Sequence, residues 1–245
     1  MRVFDIDVDF DRKTLCNKIN DCIDNKEKGY ACFVDANVLS IARKDEVYLK
    51  VLQGALVNSC DGGSIATIVN RIYGINVRAY NGPDLFEDYI KKTEYKHLLM
   101  GNTEEKYQMI VEELHRRGMT SDHISHLPVP FARVEDFNYI SIAKRVNAID
   151  PDIIWVSLGA PKQERFMSFL LPHINRGLMF GIGAAFNFYI GFNKQPSFKL
   201  GAFRFIWLDR IFREPRKQLA RCWKIFKALP MLYWDERKRY QASLK

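Results

Sequence analysis

The chain repeats one local pattern along most of its length, in which a short apolar run ends at a turn residue and a helix-like segment follows. The clearest copy is the run Ile153–Val156, which leads to Gly159 and Pro161. An uninterrupted apolar run bounded by turn residues suits a strand buried on both faces, and proline suits the first turn of a helix. The repetition predicts an α/β fold with a mainly parallel, doubly wound sheet flanked by helices.

Polar residues follow several of these predicted strands. Because ligands of parallel sheets bind at the carboxyl ends of the strands, we expect these residues to gather around one crevice. The candidates from this argument are Asp35, Asn37, Asp61, Gly101, Asn102, Gly159, Ala160, Pro161, Lys162, Gln163, Gly183 and Asn187.

Other segments carry more specific structural predictions. Polar and apolar residues alternate over Arg2–Phe10, which indicates one half-exposed strand. The segment 11–26 is interpreted as a helix, and a single helix is expected to run from a cap at Asp35 to Lys50. We interpret 119–133 as a polar loop and 134–148 as a helix.

The turn at Gly159 combines a glycine with a predicted helix start. Backbone N–H groups at a helix N-terminus and the positive end of the helix dipole attract anions. Lys162 and Gln163 would lie in the first turn of this helix, beside such an anion. The alternative is an ordinary connection that binds nothing. No G-x-G-x-x-G, G-x-x-x-x-G-K-[ST] or G-x-S-x-G motif occurs, so dinucleotide, P-loop and serine-hydrolase functions lack their usual support.

Acidic and histidine residues allow two metal hypotheses. Asp5 and Asp7 resemble the D-x-D that chelates a metal in many sugar transferases, but no nucleotide-binding unit precedes them, so a solvated strand face is favoured. His123 and His126 have no third ligand nearby. We therefore predict neither a metal nor a cofactor. Asp61, beside two glycines, is either a turn residue or a catalytic base in a crevice.

The five cysteines have no C-x-x-C spacing, which disfavours a disulfide framework or a zinc site and favours a reducing cytosol. We expect no signal peptide and no membrane span, since no run of about 18 apolar residues occurs. The length of 245 residues suits either one large α/β domain or a domain with an appendage.

The positive charge is confined to the end of the chain. Residues 204–245 contain twelve Lys and Arg against four Asp and Glu, whereas the rest contains 25 of each sign. We therefore divide the chain into an α/β core, 1–198, and a basic helical appendage, 199–245. Its interleaved Trp and Phe favour contact with an anionic membrane surface. Packing on the core, a nucleic-acid arm and self-association as a homo-oligomer are the alternatives.

Six motifs in order carry a resemblance to a known family. They are D-G-G at 61–63, G-P-D-L at 82–85, L-L-M-G-N at 98–102, G-A-P-K-Q-E at 159–164, G-I-G-A-A-F-N at 181–187 and W-L-D-R-x-x-x-E-P-R at 207–216. Over nearly the whole chain, from about residue 3 to about 225, the sequence resembles the WecG/TagA/CpsF glycosyltransferases.

The resemblance implies a Rossmann-like core and an inverting, metal-independent transfer of a hexose from a UDP-sugar. N-acetylmannosamine, its uronic acid or a related sugar would pass to a polyprenyl-diphosphate-linked acceptor. The enzyme would act in cell-surface polysaccharide synthesis, peripheral to the inner face of the cell membrane. It implies that Asp61 is the base for the acceptor hydroxyl and that Gln163 holds the donor sugar or the acceptor. The further substrate-binding residues that it implies are Gly62, Asp84, Phe186, Arg210, Arg213, Arg216 and Arg221.

Two positions depart from the family pattern. Asp35 and Asn37 occupy a segment where the family has T-x-N-x-[EDH], and Asn187 replaces an aspartate. Both changes alter the polar lining, so the donor or acceptor is expected to differ from those of well-known members. The main alternative function is a nucleotide- or RNA-binding α/β protein with a basic tail and no transferase activity.

Overall fold

The computed structural model describes residues 1–191, 199–200, 203–204 and 215–244, with side chains of the last segment from residue 223. The chain begins with a short antiparallel hairpin of β1 (Arg2–Val3) and β2 (Ile6–Asp7). The prediction of one strand over Arg2–Phe10 is therefore wrong. The turn residues Phe4 and Asp5 have φ of 53° and 63°, and a left-handed backbone cannot continue a strand.

A six-stranded sheet forms the centre of the molecule. Its strands are β3 (Lys28–Val34), β4 (Val57–Cys60), β5 (His97–Met100), β6 (Ile124–Leu127), β7 (Ile153–Val156) and β8 (Gly177–Gly181). Every pairing is parallel and the spatial order is β4-β3-β8-β7-β5-β6. The predicted parallel sheet is confirmed. Two further short strands, β9 (Lys199–Leu200) and β10 (Phe203–Arg204), pair with each other.

Ten α-helices are described. They are α1 (Arg12–Asp24), α2 (Ala36–Ala42), α3 (Glu46–Gln53), α4 (Gly63–Tyr73), α5 (Gly82–Ile90), α6 (Glu104–Arg116), α7 (Tyr139–Ile149), α8 (Lys162–Leu170), α9 (Ala185–Tyr189) and α10 (Pro215–Ser243). Single 3₁₀ turns cover Val134–Asp136 and Leu171–His173. The helices connect successive strands, as a doubly wound α/β fold requires.

Two hydrophobic layers enclose the sheet, because successive strand residues point to opposite faces. Ile154 and Val156 belong to the layer covered by α2, α3, α4, α7, α8 and α10. Ile153 and Trp155 belong to the layer covered by α1, α5, α6 and α9. All four residues of β7 are completely buried, as the apolar run predicts.

Local capping explains two differences from the predicted elements. The expected single helix from Asp35 to Lys50 is divided, because the Asp45 side chain accepts a hydrogen bond from the Tyr48 backbone N–H at 2.9 Å and starts α3. In the expected helix over 134–148, the Asn138 side chain caps the Ser141 N–H at 3.0 Å, so α7 begins at Tyr139.

The segment 119–133 was expected to be a polar loop, yet it contains the edge strand β6. Its two end residues, Ile124 and Leu127, are buried, while Ser125 and His126 between them are half-buried. His126 stacks on Tyr107 with ring centroids 5.0 Å apart. The two polar residues concealed the strand because an edge strand packs less of its surface against apolar neighbours.

The C-terminal helix α10 packs against α2 and α4. Its Ala228, Leu232 and Glu236 are buried. The carboxylate of Glu236 accepts hydrogen bonds from the Phe4 backbone N–H at 2.7 Å and the Tyr73 hydroxyl at 2.6 Å. This helix therefore covers the N-terminal hairpin.

Candidate active site at the carboxyl edge of the sheet

Backbone hydrogen bonds join the loops that leave the strands into one continuous edge. The N–H of Asp61 donates to the carbonyl of Val34 at 2.9 Å, which connects the ends of β4 and β3. The N–H of Ser157 donates to Met100 at 2.9 Å, and the N–H of Ile182 donates to Val156 at 3.1 Å. In addition, the Ser157 hydroxyl donates to the carbonyl of Gly183 at 2.5 Å. These bonds join the loops after β4 and β3 and those after β8, β7 and β5, and the pairing of β3 with β8 places the two groups along the same edge.

Asp61 and Gln163 occupy this same edge, after β4 and β7. Two strands, β3 and β8, separate β4 from β7. The gap is three strand spacings, or roughly 14 Å. Such a separation suits two groups that act on different parts of one extended ligand or on two ligands.

Two glycine-containing turns at this edge begin helices that have no side-chain cap. Gly62, with φ of 116°, precedes α4, and Gly159, with φ of 78°, lies in the turn before α8. Among α-helices that begin within residues 1–191, α4, α8 and the five-residue α9 lack a cap hydrogen bond from a side chain. No side-chain cap therefore covers the N-termini of α4 and α8, although in α8 the Gln163 N–H already donates to the Gly159 carbonyl at 3.0 Å.

The other polar residues after β3 and before α5 serve as caps or lie beside them. The carboxylate of Asp35 accepts from the Val38 N–H at 2.8 Å and caps α2. Asn37 lies in the first turn of that helix, and its carbonyl accepts from Ser40. Asp84 lies in the first turn of α5, where its N–H donates to the Asn81 side chain at 2.9 Å.

Gln163 is 4% exposed and joins two loops. Its Oε1 accepts from the Gly159 N–H at 3.0 Å. Its Nε2 donates to the carbonyl of Gly181 at 2.5 Å and to Oε1 of Glu164 at 2.9 Å. Both amide hydrogens are therefore used within the protein, and the second lone pair of Oε1 is the group left to meet a ligand.

Glu164 is a buried carboxyl for which the sequence analysis proposed no role. It is completely buried and also accepts from the Tyr48 hydroxyl at 3.1 Å. Burial raises its pKa to about 7; hydrogen bonds from Gln163 and Tyr48 oppose that shift, and the Asp35 carboxyl adds to it. Helical spacing gave a usable signal, since Glu164 precedes the buried Met167 by three positions and so shares its apolar face.

Gly101 and Asn102 follow β5 where the backbone is closely packed. Gly101 has φ of 85°, and a Cβ there would lie 2.8 Å from Leu158 Cδ2, so only glycine fits without strain. Both polar side-chain atoms of Asn102 are buried and make no hydrogen bond within the described structure. Its backbone carbonyl lies 3.2 Å from Nε2 of His126, whose Nδ1 lies 2.9 Å from Glu104.

The loop after β8 combines half-buried and buried residues. Gly183 has φ of 53°, and a Cβ there would lie 3.5 Å from Gln163 Oε1, so the absent side chain leaves space in front of that oxygen. Phe186 is 1% exposed and packs edge-on against Phe86 at 5.2 Å. Its ring therefore supports the edge from the core side. Asn187 is half-buried in α9.

Lys162 supplies a cation at the start of α8. Its Nζ lies 5.2 Å from the ring centre of Phe131 and 5.1 Å from that of Phe137. The Ala160–Pro161 peptide bond immediately before it is cis. The fully exposed ring of Phe131 stands beside the turn.

The side chains of all four predicted binding arginines lie outside the described part of the structure. Arg210 and Arg213 lie outside the described residues, and Arg216 and Arg221 lie in α10 before its described side chains begin.

The residues of the two metal hypotheses have other partners. Asp5 pairs with Arg239 at 2.5 Å, and Asp7 lies 3.7 Å from Arg2. His123 packs against His97 with ring centroids 5.3 Å apart. Within the described ranges, no three His, Cys, Asp or Glu side chains form a cluster suited to a metal ion.

A parallel, doubly wound sheet with polar loops along its carboxyl edge defines the class of α/β proteins in which ligands bind at that edge. The particular family follows from the sequence. The chain belongs to the glycosyl transferase WecG/TagA/CpsF family, whose sequence model matches residues 1–242. It is therefore a glycosyltransferase, and the alternative of a binding protein without transferase activity is set aside.

Two relatives from Staphylococcus aureus are similar over most of their length. In strain NCTC 8325 / PS 47, and also in strain MRSA252, the relative is an N-acetylglucosaminyldiphosphoundecaprenol N-acetyl-beta-D-mannosaminyltransferase. Each is 22% identical over 211 residues, which cover 83% of this chain and 81% of the relative. In the described part of this chain, no helix is both long and apolar enough to cross a bilayer.

Proposed function

We propose that this glycosyltransferase moves a hexose of the N-acetylmannosamine type from a UDP-sugar to a sugar on a polyprenyl diphosphate, with inversion and without a metal ion. The product would enter a cell-surface polysaccharide. The named activity of the S. aureus relatives supports the class of sugar and of acceptor. The observation that carries the proposal is the pair of helix N-termini without a side-chain cap, α4 and α8, along one edge of the sheet.

Helix N-termini suit the leaving group of this reaction. As the bond between the sugar and the diphosphate breaks, negative charge develops on UDP and must be stabilised. Backbone N–H groups at a helix N-terminus attract such anions. Lys162 adds a cation at the start of α8, and the glycine at 159 allows a phosphate to approach the main chain.

In the proposed mechanism, Asp61 is the general base. It accepts the proton of the acceptor hydroxyl while that oxygen attacks the anomeric carbon from the face opposite UDP. The carbon–oxygen bond to the diphosphate breaks and UDP leaves with the bonding electrons, so the anomeric configuration inverts. The separation of roughly 14 Å between β4 and β7 would allow Asp61 to act on the acceptor while the Gly159 turn holds the donor.

We further propose that the appendage, 199–245, closes the site. Arg210, Arg213, Arg216 and Arg221 would contact the two diphosphates, since guanidinium groups bind phosphate oxygens in pairs. The loops containing Asp35, Asn37, Asp84 and Asn187 would line the sugar sites, together with Gly62, Gly101, Asn102 and Gly183. Because Asp35 and Asn187 depart from the family pattern, they are the positions at which we expect sugar preference to be set.

A donor and acceptor screen tests the proposed reaction. The purified protein is incubated with UDP-sugars and a polyprenyl-diphosphate-linked N-acetylglucosamine, with and without EDTA. We expect transfer from UDP-N-acetylmannosamine or a close relative, at the same rate in EDTA. Loss of transfer in EDTA would contradict metal independence, and absence of transfer from every UDP-sugar would contradict the donor class.

The exposed face of α10 supports contact with a membrane. Trp223, Phe226 and Trp234 are 60%, 68% and 54% exposed. Lys227 lies 4.9 Å from the Trp223 ring, and Arg237 lies 5.4 Å from the Trp234 ring. Aromatic and cationic side chains on one helix face are typical of helices that lie on anionic lipid.

Replacing Trp223, Phe226 and Trp234 together with serine is expected to weaken binding to vesicles of phosphatidylcholine and phosphatidylglycerol by roughly tenfold or more, since each ring loses apolar contact with lipid. Co-sedimentation measures the effect. A deletion of residues 204–245 is a poorer test, because it also removes the buried Glu236. Ile140→Ser, at a 73% exposed position on α7, is the matched control. Unchanged binding of the triple variant would contradict membrane contact through this face.

A further inference from the structure

Glu164 is a buried carboxyl beside the candidate site to which the proposed mechanism gives no role. It is completely buried, beneath the edge rather than in the crevice. Its two carboxylate oxygens have separate partners: Oε1 accepts from the amide of Gln163 at 2.9 Å, and Oε2 accepts from the hydroxyl of Tyr48 at 3.1 Å. A group in this position can act on a ligand only through a neighbour.

That neighbour is Gln163, whose amide has a single orientation compatible with its partners. Glu164 and the carbonyl of Gly181 are both acceptors, so the amide nitrogen must face them. The Gly159 N–H is a donor, so the amide oxygen must face the turn. If the amide were reversed, two acceptors would face its oxygen and one donor would face its nitrogen, which loses all three hydrogen bonds.

The electrostatic surroundings make Glu164 costly to the fold. The ionisable groups that face it are Tyr48 on α3, Cys32 on β3 and Asp35 at the start of α2, and none of them is a cation. The nearby Arg165 pairs with Asp45 instead. A buried carboxylate without a cationic partner is destabilising, and burial raises the pKa of Glu164 to about 7. If Glu164 served only to fill space, an uncharged residue in its place would give a more stable fold.

We propose that Glu164 is a positioning residue, which orients the Gln163 amide and thereby holds the Gly159–Pro161 turn in the form that meets the donor diphosphate. This role rests on the proposed function, in which that turn binds UDP. The carboxylate is a stronger acceptor than a neutral amide oxygen. At Gly183 no side chain covers the Gln163 oxygen, since a Cβ there would lie 3.5 Å from it.

Glu164→Gln tests the role with little change in volume. The new amide can present either its oxygen or its nitrogen to Gln163, so one of the three hydrogen bonds that orient the Gln163 amide is weakened or lost, while those with Gly159 and Gly181 remain. We expect UDP affinity, measured by calorimetry, to fall about fivefold and turnover to fall by a similar factor. Its unfolding midpoint at pH 8 should nevertheless exceed that of the wild type, because ionisation of Glu164 lowers stability as pH rises from 4.5 through about 7.

A double-mutant cycle separates positioning from a general structural effect. In a Gln163→Ala background, Glu164→Gln should change UDP affinity by less than about twofold, since the side chain through which it acts is gone. Glu112→Gln, at an exposed site on α6, is the control and should behave as wild type.

The inference would be overturned if Glu164→Gln bound UDP with wild-type affinity. It would also be overturned if Glu164→Gln lowered UDP affinity as much in the Gln163→Ala background as in the wild type. If the wild type binds UDP and transfers no sugar, the proposed function fails while the affinity cycle still decides the role of Glu164. If the wild type does not bind UDP, both fail.

Discussion

Replacing Asp61 with asparagine is expected to reduce sugar transfer by about 10²–10⁴-fold, the range that a positioned general base contributes. The amide has nearly the same shape but accepts no proton from the acceptor hydroxyl. The backbone N–H of residue 61 still donates to Val34, so the loop should keep its position. UDP should therefore bind with its normal affinity, because the base acts on the acceptor. Single-turnover transfer and calorimetry with UDP measure the two effects.

The control for this substitution is Asp21→Asn, at an exposed site near the end of α1 and at the opposite edge of the sheet. It should transfer sugar at the wild-type rate. Near-normal turnover of Asp61→Asn would show that another group accepts the proton. A joint loss of transfer and of UDP binding would instead assign Asp61 to the donor site or to the structure of its loop.

Acid is expected to destabilise the fold through His97, the first residue of β5, which is 1% exposed. Its Nδ1 accepts from the Trp155 indole N–H at 3.0 Å, and its Nε2 faces the carbonyl of Lys92 at 3.1 Å. The ring is therefore neutral, with its hydrogen on Nε2. Burial lowers the pKa of His97 from 6.5 to about 4, because the charged form is poorly solvated there.

The sign follows from proton binding. Between pH 6.5 and about 4 the unfolded chain binds a proton at this histidine and the folded protein does not, so stability falls as the pH falls. The full loss amounts to about 3 kcal/mol. Glu164 acts in the opposite direction, because its pKa is raised to about 7. The pH dependence of wild-type stability therefore does not separate the contribution of His97 from that of Glu164.

The measurement is the difference in unfolding free energy between the wild type and His97→Gln, determined by urea denaturation from pH 8 to pH 4. A glutamine can accept from Trp155 and donate to Lys92 without titrating in this range. We expect the wild type to lose its advantage as the pH falls toward 4. His173→Gln, at an exposed position, should show no such trend. A pH-independent difference for His97→Gln would contradict the assigned neutral state.

The parts of the fold that depend on local pattern could be predicted. The runs that became β7 and β8 are apolar on both faces because helices cover both faces of the sheet, and that requirement is visible in each run by itself. The turn residues after them mark the carboxyl edge for the same reason. Asp61 and the Gly159 turn therefore reached one edge as expected, although their roles in catalysis stay predictions.

Some of the missed features depend on residues far apart in the chain. Alternation over Arg2–Phe10 suggested one strand, since nothing nearby indicates that Glu236 accepts the Phe4 N–H and Arg239 pairs with Asp5 across the turn. Helical spacing places Glu164 on the buried face of α8, but its hydrogen-bond partner Tyr48 lies 116 positions earlier. The cap at Asp45, in contrast, is a local feature of the sequence. The continuous helical pattern from Asp35 to Lys50 concealed it.

The hydrogen bond between Phe4 and Glu236 joins positions 232 residues apart, and it has a consequence for biosynthesis. A chain leaves the ribosome from its N-terminus, and α/β units begin to fold as they emerge. The N-terminal hairpin, however, meets its cover only after α10 has been translated. Until then, the apolar side chains of the hairpin and the surfaces of α2 and α4 that α10 covers remain exposed to water. The nascent enzyme should therefore depend on holdase chaperones late in translation, and premature termination near residue 220 should yield aggregates rather than a shortened active protein.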